Sequence, residues 1–368
     1  MATAKRTSSQ RHAAKQKRKL ILFGFEIVII LIMVAVLYMV MNKTSEGPKV
    51  AYLDPEKLAI PTEVIEKTEE GGTMHGYMNV ALFGLDAQTD SQLYKGSRSD
   101  SIMIASINLD TGDIRLVSVY RDSYLNIGPY KGQAEYYWKC NTAYAAGGAE
   151  QAVRMLNMNL DMDITDFVAV GYKGLSSVID GLGGVYIDVA PEEVSHLNNY
   201  QIDVSAVLKE DYTPVKESGR QLLNGLQATA YCRIRATAGD DFKRTARQRT
   251  VLKAIEEQAK KADLTTLTKV FNDCIGDIYT SIDSKDILDL IGNIANYRIA
   301  DEAGFPTEEM RTTGNIGAKG SCVIPMDLES NVVWLHQFLF GDDDYEVTDN
   351  IKEYGSVIEA ETGQYLKK

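Results

Sequence analysis

Hydrophobic and polar positions divide the first part of the chain sharply. Residues 20–41 are apolar apart from Glu26, and a helix of that length spans roughly 33 Å, about one hydrocarbon core. Ahead of it stand Lys5, Arg6, Arg11, Lys15, Lys17, Arg18 and Lys19. By the positive-inside rule this predicts a single-pass transmembrane anchor, with residues 1–19 a cytoplasmic basic tail and the chain after the anchor outside the cell. The run exceeds the core of a signal peptide, and no small-x-small site follows it before Asn42 and Lys43, so the anchor is expected to be retained. Glu26 is expensive at that depth unless it snorkels, is protonated or meets a partner helix, and the basic tail would also touch anionic lipid.

Beyond the anchor the pattern alternates between strand and helix periods. Residues 42–75 contain Pro48, Pro55, Pro61, Gly71 and Gly72 among many charges and read as an extracellular stalk with one short helix. Apolar runs at 78–84, 101–108 and 113–120 predict three early strands, the last two joined by a tight turn containing Asp110 and Gly112. Helical spacing at 148–160, 172–182, 222–231 and 245–261 is interleaved with strands at 166–171 and 185–189. Residues 190–218 read as a polar interruption, and 233–235 as extended chain. This alternation predicts an α/β core over residues 76–260. Residues 261–345 read as mainly helical with one strand at 322–326, and residues 346–368 as a peripheral acidic tail.

Composition narrows the function classes. With 368 residues, 45% hydrophobic and 24% charged, the chain as a whole is neither disordered nor a coiled coil. Its net charge is −12, but setting aside residues 1–42 leaves 32 bases and 50 acids, a net of −18. Such a body argues against nucleic-acid binding, so an anionic ligand must be held by a local group of cations. Cys140, Cys232, Cys274 and Cys322 show none of the paired spacings of a zinc site. An oxidising exterior permits disulfides, and Cys274 with Cys322 is the pair to examine; Cys140 and Cys232 lie in apolar contexts that suit buried thiols.

Charged residues gather at the ends of the predicted strands, where ligands bind in α/β sheets. Asp86 follows the first strand, and Arg98, Ser99 and Asp100 precede the second. Two carboxylates brought together there can hold a hard cation such as Mg²⁺ and leave positions for phosphate oxygens and water. Arg121 and Asp122 follow the third strand. Arg233 and Arg235, two apart in extended chain, project to one side. After Asp240 and Asp241, Arg244 and Gln248 share a helical face with Arg247 beside them. An exposed ion pair would account for any one of these charges. Repeated arginines beside apolar runs repel one another without an anion, and phosphate or diphosphate matches their guanidinium groups.

Several ordered segments resemble the LytR-CpsA-Psr (LCP) family. They are Asn79-Val80-Ala81-Leu82-Phe83-Gly84-Leu85-Asp86, Arg98-Ser99-Asp100-Ser101-Ile102-Met103, Arg121-Asp122, and Lys139-Cys140-Asn141-Thr142-Ala143-Tyr144 with Gly147-Gly148. Asp180-Gly181-Leu182-Gly183-Gly184-Val185, Leu223-Asn224-Gly225, Tyr231-Cys232-Arg233-Ile234-Arg235 and Asp241-Phe242-Lys243-Arg244 with Arg247-Gln248 follow in order. The resemblance covers residues 76–260, and a single N-terminal anchor fits it. It implies a central mixed β-sheet flanked by helices, with an apolar tunnel for lipid. It also implies a membrane-anchored extracellular enzyme that moves a glycopolymer, such as teichoic acid or capsule, from a polyprenyl-diphosphate carrier to peptidoglycan through a phosphodiester.

By the same resemblance, Asp86 and Asp100 look like Mg²⁺ ligands, and Arg98, Arg121, Arg233, Arg235, Arg244 and Gln248 look like the diphosphate-binding set. Asp241 corresponds to an acidic residue beside them that orients an arginine or acts as a base. The chain departs from the pattern at Tyr120, where proline is common, and at Cys140, where an aliphatic residue is usual. A short loop after Arg235 leaves either Asp240 or Asp241 to fill the acidic role. The expected catalytic group is Arg121, Asp122, Asp241 and Arg244, with Asp122 or Asp241 accepting the proton of a sugar hydroxyl. Two rivals stand beside this reading: a diphosphohydrolase or pyrophosphatase that would use the same metal and arginines with water as nucleophile, and a non-catalytic receptor for lipid-linked glycan in envelope regulation.

Overall fold

A computed structural model describes residues 49–87, 90–235, 240–282 and 294–366. The anchor at 20–41 lies outside the described residues, and among the described residues no helix is long and apolar enough to cross a membrane. The central sheet comprises β1 (Lys49–Val50), β2 (Tyr77–Leu85), β3 (Ser99–Asn108), β4 (Asp113–Val119), β7 (Asp166–Val170), β10 (Ile278–Thr280) and β11 (Arg298–Phe305). Its spatial order is β1-β10-β7-β2-β3-β4-β11. Three two-stranded ribbons join β5 (Tyr124–Asn126) to β6 (Tyr137–Lys139), β8 (Val185–Val189) to β9 (Gly219–Leu223), and β12 (Arg311–Asn315) to β13 (Ser321–Pro325). The helices are α1 (Thr62–Thr68), α2 (Thr142–Leu160), α3 (Tyr172–Gly181), α4 (Pro191–Leu208), α5 (Gly225–Tyr231), α6 (Asp240–Ala259), α7 (Leu264–Cys274), α8 (Leu328–Phe340) and α9 (Asp349–Leu366).

Pairing is antiparallel for β2–β3 and β3–β4 and parallel for β2–β7 and β4–β11, so the sheet is mixed as expected. Strand geometry sends alternate residues to opposite faces, and here both faces are apolar. Val80, Leu82, Met103, Ala105 and Leu116 pack beneath α3 to α7. Ala81, Phe83, Ile102, Ile104 and Val117 pack against α2, α8 and α9. Burial on both sides explains the near-continuous apolar runs in the sequence.

Several expectations are corrected by long-range packing. Residues 49–75 are not a free stalk: β1 pairs with β10, and Leu53, Leu58, Val64 and Met74 are buried. The polar interruption contains α4, which starts with Pro191 at its first position while Glu193 accepts from the Ala190 N–H at 3.0 Å. Only a narrow face of it, with Leu197, Gln201 and Val204, is buried, so its composition reads as polar. The segment expected to be mainly helical carries four strands, and β11 completes the sheet beside β4. The acidic end forms α9, anchored by Ile351, Tyr354, Ile358 and Thr362 on one face. The four cysteines are free and buried, and Cys274 and Cys322 sit in different cores on opposite faces of the sheet, so they form no disulfide.

Candidate active site

The charges at the strand ends meet in one cavity of about 480 Å³. Strands β2 and β3 end side by side, with Leu85 opposite Ser99, which brings Asp86 and Asp100 to the same rim. The Asp86 N–H donates to the Arg98 carbonyl at 3.4 Å, so the connection folds back and leaves Arg98 exposed at the mouth. Asp86, Arg98, Asp100, Arg121, Arg233, Arg235, Arg244 and Gln248 all line the cavity. Its other wall is apolar and includes Leu82, Met103, Val168, Leu175, Val251 and Leu252.

Arg121 is the centre of the charge network. Its Nη1 donates to Asp100 Oδ1 at 2.6 Å, and its Nε lies 3.3 Å from Asp241 Oδ2 and 3.8 Å from Asp122 Oδ2. Arg235 bridges the same two acids, at 3.6 Å from Asp100 Oδ2 and 3.3 Å from Asp241 Oδ1. Arg244 is nearly buried, donates to the Asp100 carbonyl at 3.0 Å and lies 3.1 Å from Asp241 Oδ1. Lys139 reaches Asp122 Oδ1 at 3.4 Å. Asp122 and Asp241 are thus set back behind the arginines and steer them.

Burial works against charge on Arg121, but Asp100, Asp122 and Asp241 outweigh it and hold the guanidinium above its ordinary pKa. Burial pushes the Asp241 carboxyl up; Arg121 and Arg235 pull it down, and a hydrogen bond and repulsion from Asp122 raise it again, leaving it above the usual value. The side chain of Asp240 lies outside the described residues, and Asp241 makes the contacts expected of the acidic residue.

Arg233 does not lie in extended chain. The Arg233 N–H bonds to the Ala230 carbonyl at 3.0 Å and that of Ile234 to Tyr231 at 3.3 Å, so a turn carries on from α5. Arg233 and Arg235 still face the cavity. Arg233 is stacked between Tyr172 at 4.9 Å and Tyr200 at 5.7 Å. Arg247 turns away to Glu193 at 2.6 Å and is a buried tie between α6 and α4. Tyr172 and Tyr200 are not singled out by sequence reasoning, and Lys139 enters it only as part of a family motif. Tyr172 stands two residues past the end of β7, close to the position that marked the charges, but its aromatic character reads as the first apolar residue of a helix.

Polar atoms left without partners show what the cavity lacks. Among the described residues, Arg233 Nη1, Arg244 Nε and Nη1, and Gln248 Oε1 are buried and form no hydrogen bond; Arg244 Nη1 is near Asp241 but poorly aligned with it. Asp241 Oδ1, beside Arg244, is likewise buried without a hydrogen bond. Buried donors of this kind are costly unless a ligand meets them, and three open nitrogens on two guanidinium groups favour an anion. Asp86 and Asp100 also suit a hard cation by donor type. Asp86 Oδ1 already accepts from the Tyr172 hydroxyl at 2.7 Å, and Asp100 faces two guanidinium groups. Among the described residues no group of three or more acidic, histidine or cysteine side chains could form a metal cage. A cation here would complete its shell with phosphate oxygens and water, the usual habit of Mg²⁺.

Comparison with known proteins agrees with this architecture. "Biofilm regulatory protein A" of Streptococcus mutans serotype c is 30% identical over 182 residues, 48% of this chain but only 43% of that protein. The "Polyisoprenyl-teichoic acid--peptidoglycan teichoic acid transferase TagU" of Oceanobacillus iheyensis is 24% identical over 307 residues, 80% of this chain and 86% of that protein. A solved structure described as "LytR-CPS2A-psr family protein YwtF (TagT) with bound octaprenyl pyrophosphate lipid" shares the fold. It aligns with a TM-score of 0.54 at 20% identity, over 79% of this chain and 99% of that one. The LytR_cpsA_psr family profile matches residues 37–329. With its motifs in order, its sheet as expected and its arginines converged, the chain belongs to the LytR_cpsA_psr family.

Proposed function

We propose that this protein is a membrane-anchored extracellular phosphotransferase that moves a glycopolymer from a polyprenyl-diphosphate carrier to peptidoglycan. The observation that carries the reading is a single cavity joining unpartnered guanidinium donors to an apolar wall, which matches a ligand with a diphosphate head and a hydrocarbon tail. The name of the Oceanobacillus relative and the lipid in the TagT structure support the same ligand class. The anchor at 20–41 would keep the cavity within reach of a membrane-borne substrate, with the N-terminus cytoplasmic.

In this reading Arg121, Arg233, Arg235 and Arg244 grip the diphosphate oxygens, and Arg98 closes over the mouth. Gln248 offers its buried oxygen to a hydroxyl or water in the cavity. A peptidoglycan sugar hydroxyl attacks the phosphorus that carries the glycopolymer. The new P–O bond forms as the bond to the bridging oxygen breaks, and polyprenyl phosphate departs with that electron pair. The hydroxyl proton passes to Asp241 or Asp122, the two carboxyl groups behind Arg121. Negative charge grows on the phosphoryl oxygens during displacement, and each fixed guanidinium meeting it is worth about 2 to 4 kcal/mol. Mg²⁺, bound by Asp86 and Asp100, would supply further positive charge to the same oxygens.

The test is to incubate the full-length chain in detergent with a polyprenyl-diphosphate saccharide and peptidoglycan fragments, and to identify products by mass spectrometry. A phosphodiester between saccharide and glycan is expected, with activity lost in Arg233→Ala. Release of phosphate-terminated saccharide alone would replace transfer by hydrolysis. Unchanged glycopolymer attachment in cells carrying Asp86→Asn with Asp100→Asn would favour a non-catalytic receptor.

A further inference from the structure

Tyr120 stands where the family motif commonly has proline, and its ring is built into a layer behind the arginines. It meets Phe242 edge to face, with centroids 4.7 Å apart at 87°. The guanidinium of Arg311 lies 4.0 Å from the Phe242 centroid and 5.0 Å from that of Tyr120. Arg311 Nη1 also donates to the Pro306 carbonyl at 3.3 Å and to the Tyr120 hydroxyl at 3.4 Å. Space for the Tyr120 ring comes from Gly304, where a Cβ would fall 2.1 Å from the Tyr120 hydroxyl oxygen. Unlike proline, Tyr120 keeps an N–H, and it donates to the Phe305 carbonyl at 3.0 Å.

The placement of these rings in the chain is the informative part. Tyr120 immediately precedes Arg121, and Phe242 immediately follows Asp241. The end of β4 and the start of α6 are therefore joined twice, by the Arg121–Asp241 ion pair at 3.3 Å and by the ring pair one residue away on each side. Arg311 covers the rings from β12, with its side chain only 12% exposed. Its acidic neighbour Glu308 is 3.9 Å away and 86% exposed, so solvent screens that pair and the aromatic faces are the main partners of the cation.

We propose that Arg311, together with Tyr120 and Phe242, is a positioning clamp that sets Arg121 against Asp241, so that the segment around β12 acts on the chemistry through those two residues. The kinetic part of this inference rests on the phosphotransferase reading above. A cation held between two ring faces resists sliding of α6 relative to β4, and small misplacements of a gripping group are costly to rate.

The test uses the full-length chain in detergent, with inorganic diphosphate binding measured by calorimetry alongside transfer kinetics and thermal midpoint. Arg311→Gln and Phe242→Leu are each expected to weaken diphosphate binding about threefold and to lower kcat about tenfold, with little change in thermal midpoint. Arg311→Lys should recover part of kcat, because a cation over the rings is retained. If Arg311→Gln fails to fold, Phe242→Leu decides alone. Variants that bind diphosphate and turn over within about twofold of wild type overturn the clamp. A wild-type chain that binds diphosphate but transfers nothing overturns the proposed function, and the binding comparison still decides the clamp. A wild-type chain that binds no diphosphate overturns both.

Discussion

Tyr172 donates its hydroxyl to Asp86 at 2.7 Å while its ring lies 4.9 Å from the Arg233 guanidinium. One side chain therefore holds both a carboxylate suited to a cation and an arginine suited to phosphate. Burial raises the phenol pKa, so the hydroxyl stays protonated as a donor. Tyr172→Phe keeps the ring and loses the donor, and transfer activity should fall about tenfold, the worth of about 1 to 1.5 kcal/mol. Tyr172→Leu also removes the stacking face, worth about another 1 to 2 kcal/mol, and should fall further. Equal rates for both variants and wild type would remove Tyr172 from the site.

Arg244 separates activity from stability. Its side chain is 3% exposed, and two of its nitrogens, Nε and Nη1, find no hydrogen bond. Arg244→Met should cost about 2 to 4 kcal/mol of transition-state stabilisation. The thermal midpoint should change little, because an apolar side chain of similar length removes two unsatisfied donors while the Asp100 carbonyl loses the donor it accepts from. Asp241 would keep Arg121 and Arg235 as partners. A large drop in midpoint, measured by circular dichroism, would mean that Arg244 is a structural tie.

The pH dependence of transfer follows from Asp241. Its carboxyl is raised by burial and by Asp122, and a general base acts only when ionised. Activity should therefore rise with pH along a limb placed above the ordinary carboxylate value of about 3.9. Replacing Asp122 by asparagine removes a group that pushes Asp241 upward, so the limb should move to lower pH even if the maximum falls. A limb that stays in place in Asp122→Asn would separate the two acids.

His336 provides a stability reading far from the cavity. It is fully buried, stacks on Tyr345 with centroids 3.5 Å apart, and its Nε2 lies 3.0 Å from the Leu160 carbonyl. Burial lowers its pKa to about 4. The folded chain keeps this ring neutral, whereas the unfolded chain takes up a proton below about pH 6.5. Its contribution is thus intact above that value and is lost as pH falls towards about 4, by on the order of 3 kcal/mol. Denaturant titrations at pH 7 and pH 5 should show a smaller difference for His336→Phe than for wild type.

Legibility in the sequence varied from residue to residue. Asp86, Asp100 and Arg121 were recognisable because each stands next to a strand whose period is written in a short window. Arg244 and Gln248 were found through helical spacing, and both face the cavity. Arg233 and Arg235 both face the cavity, but a turn rather than extended chain carries Arg233. Arg247 has the composition of a site residue but pairs with Glu193, a contact across 54 positions of sequence.

What the sequence determined by itself was local: the strands β2 to β4, the helices that follow, the charges at their ends, and the ordered motifs that mark the family. Periodicity and spacing act over a few residues, and they survive any later packing. The tertiary structure alone decided that β11 lies beside β4, that α9 closes one core, that Cys274 and Cys322 are kept apart, and that Tyr172 and Arg311 stand behind the arginines. Those placements depend on which apolar faces cover one another and on where buried polar atoms find partners. Such choices are made between segments far apart in the chain, so no short window records them.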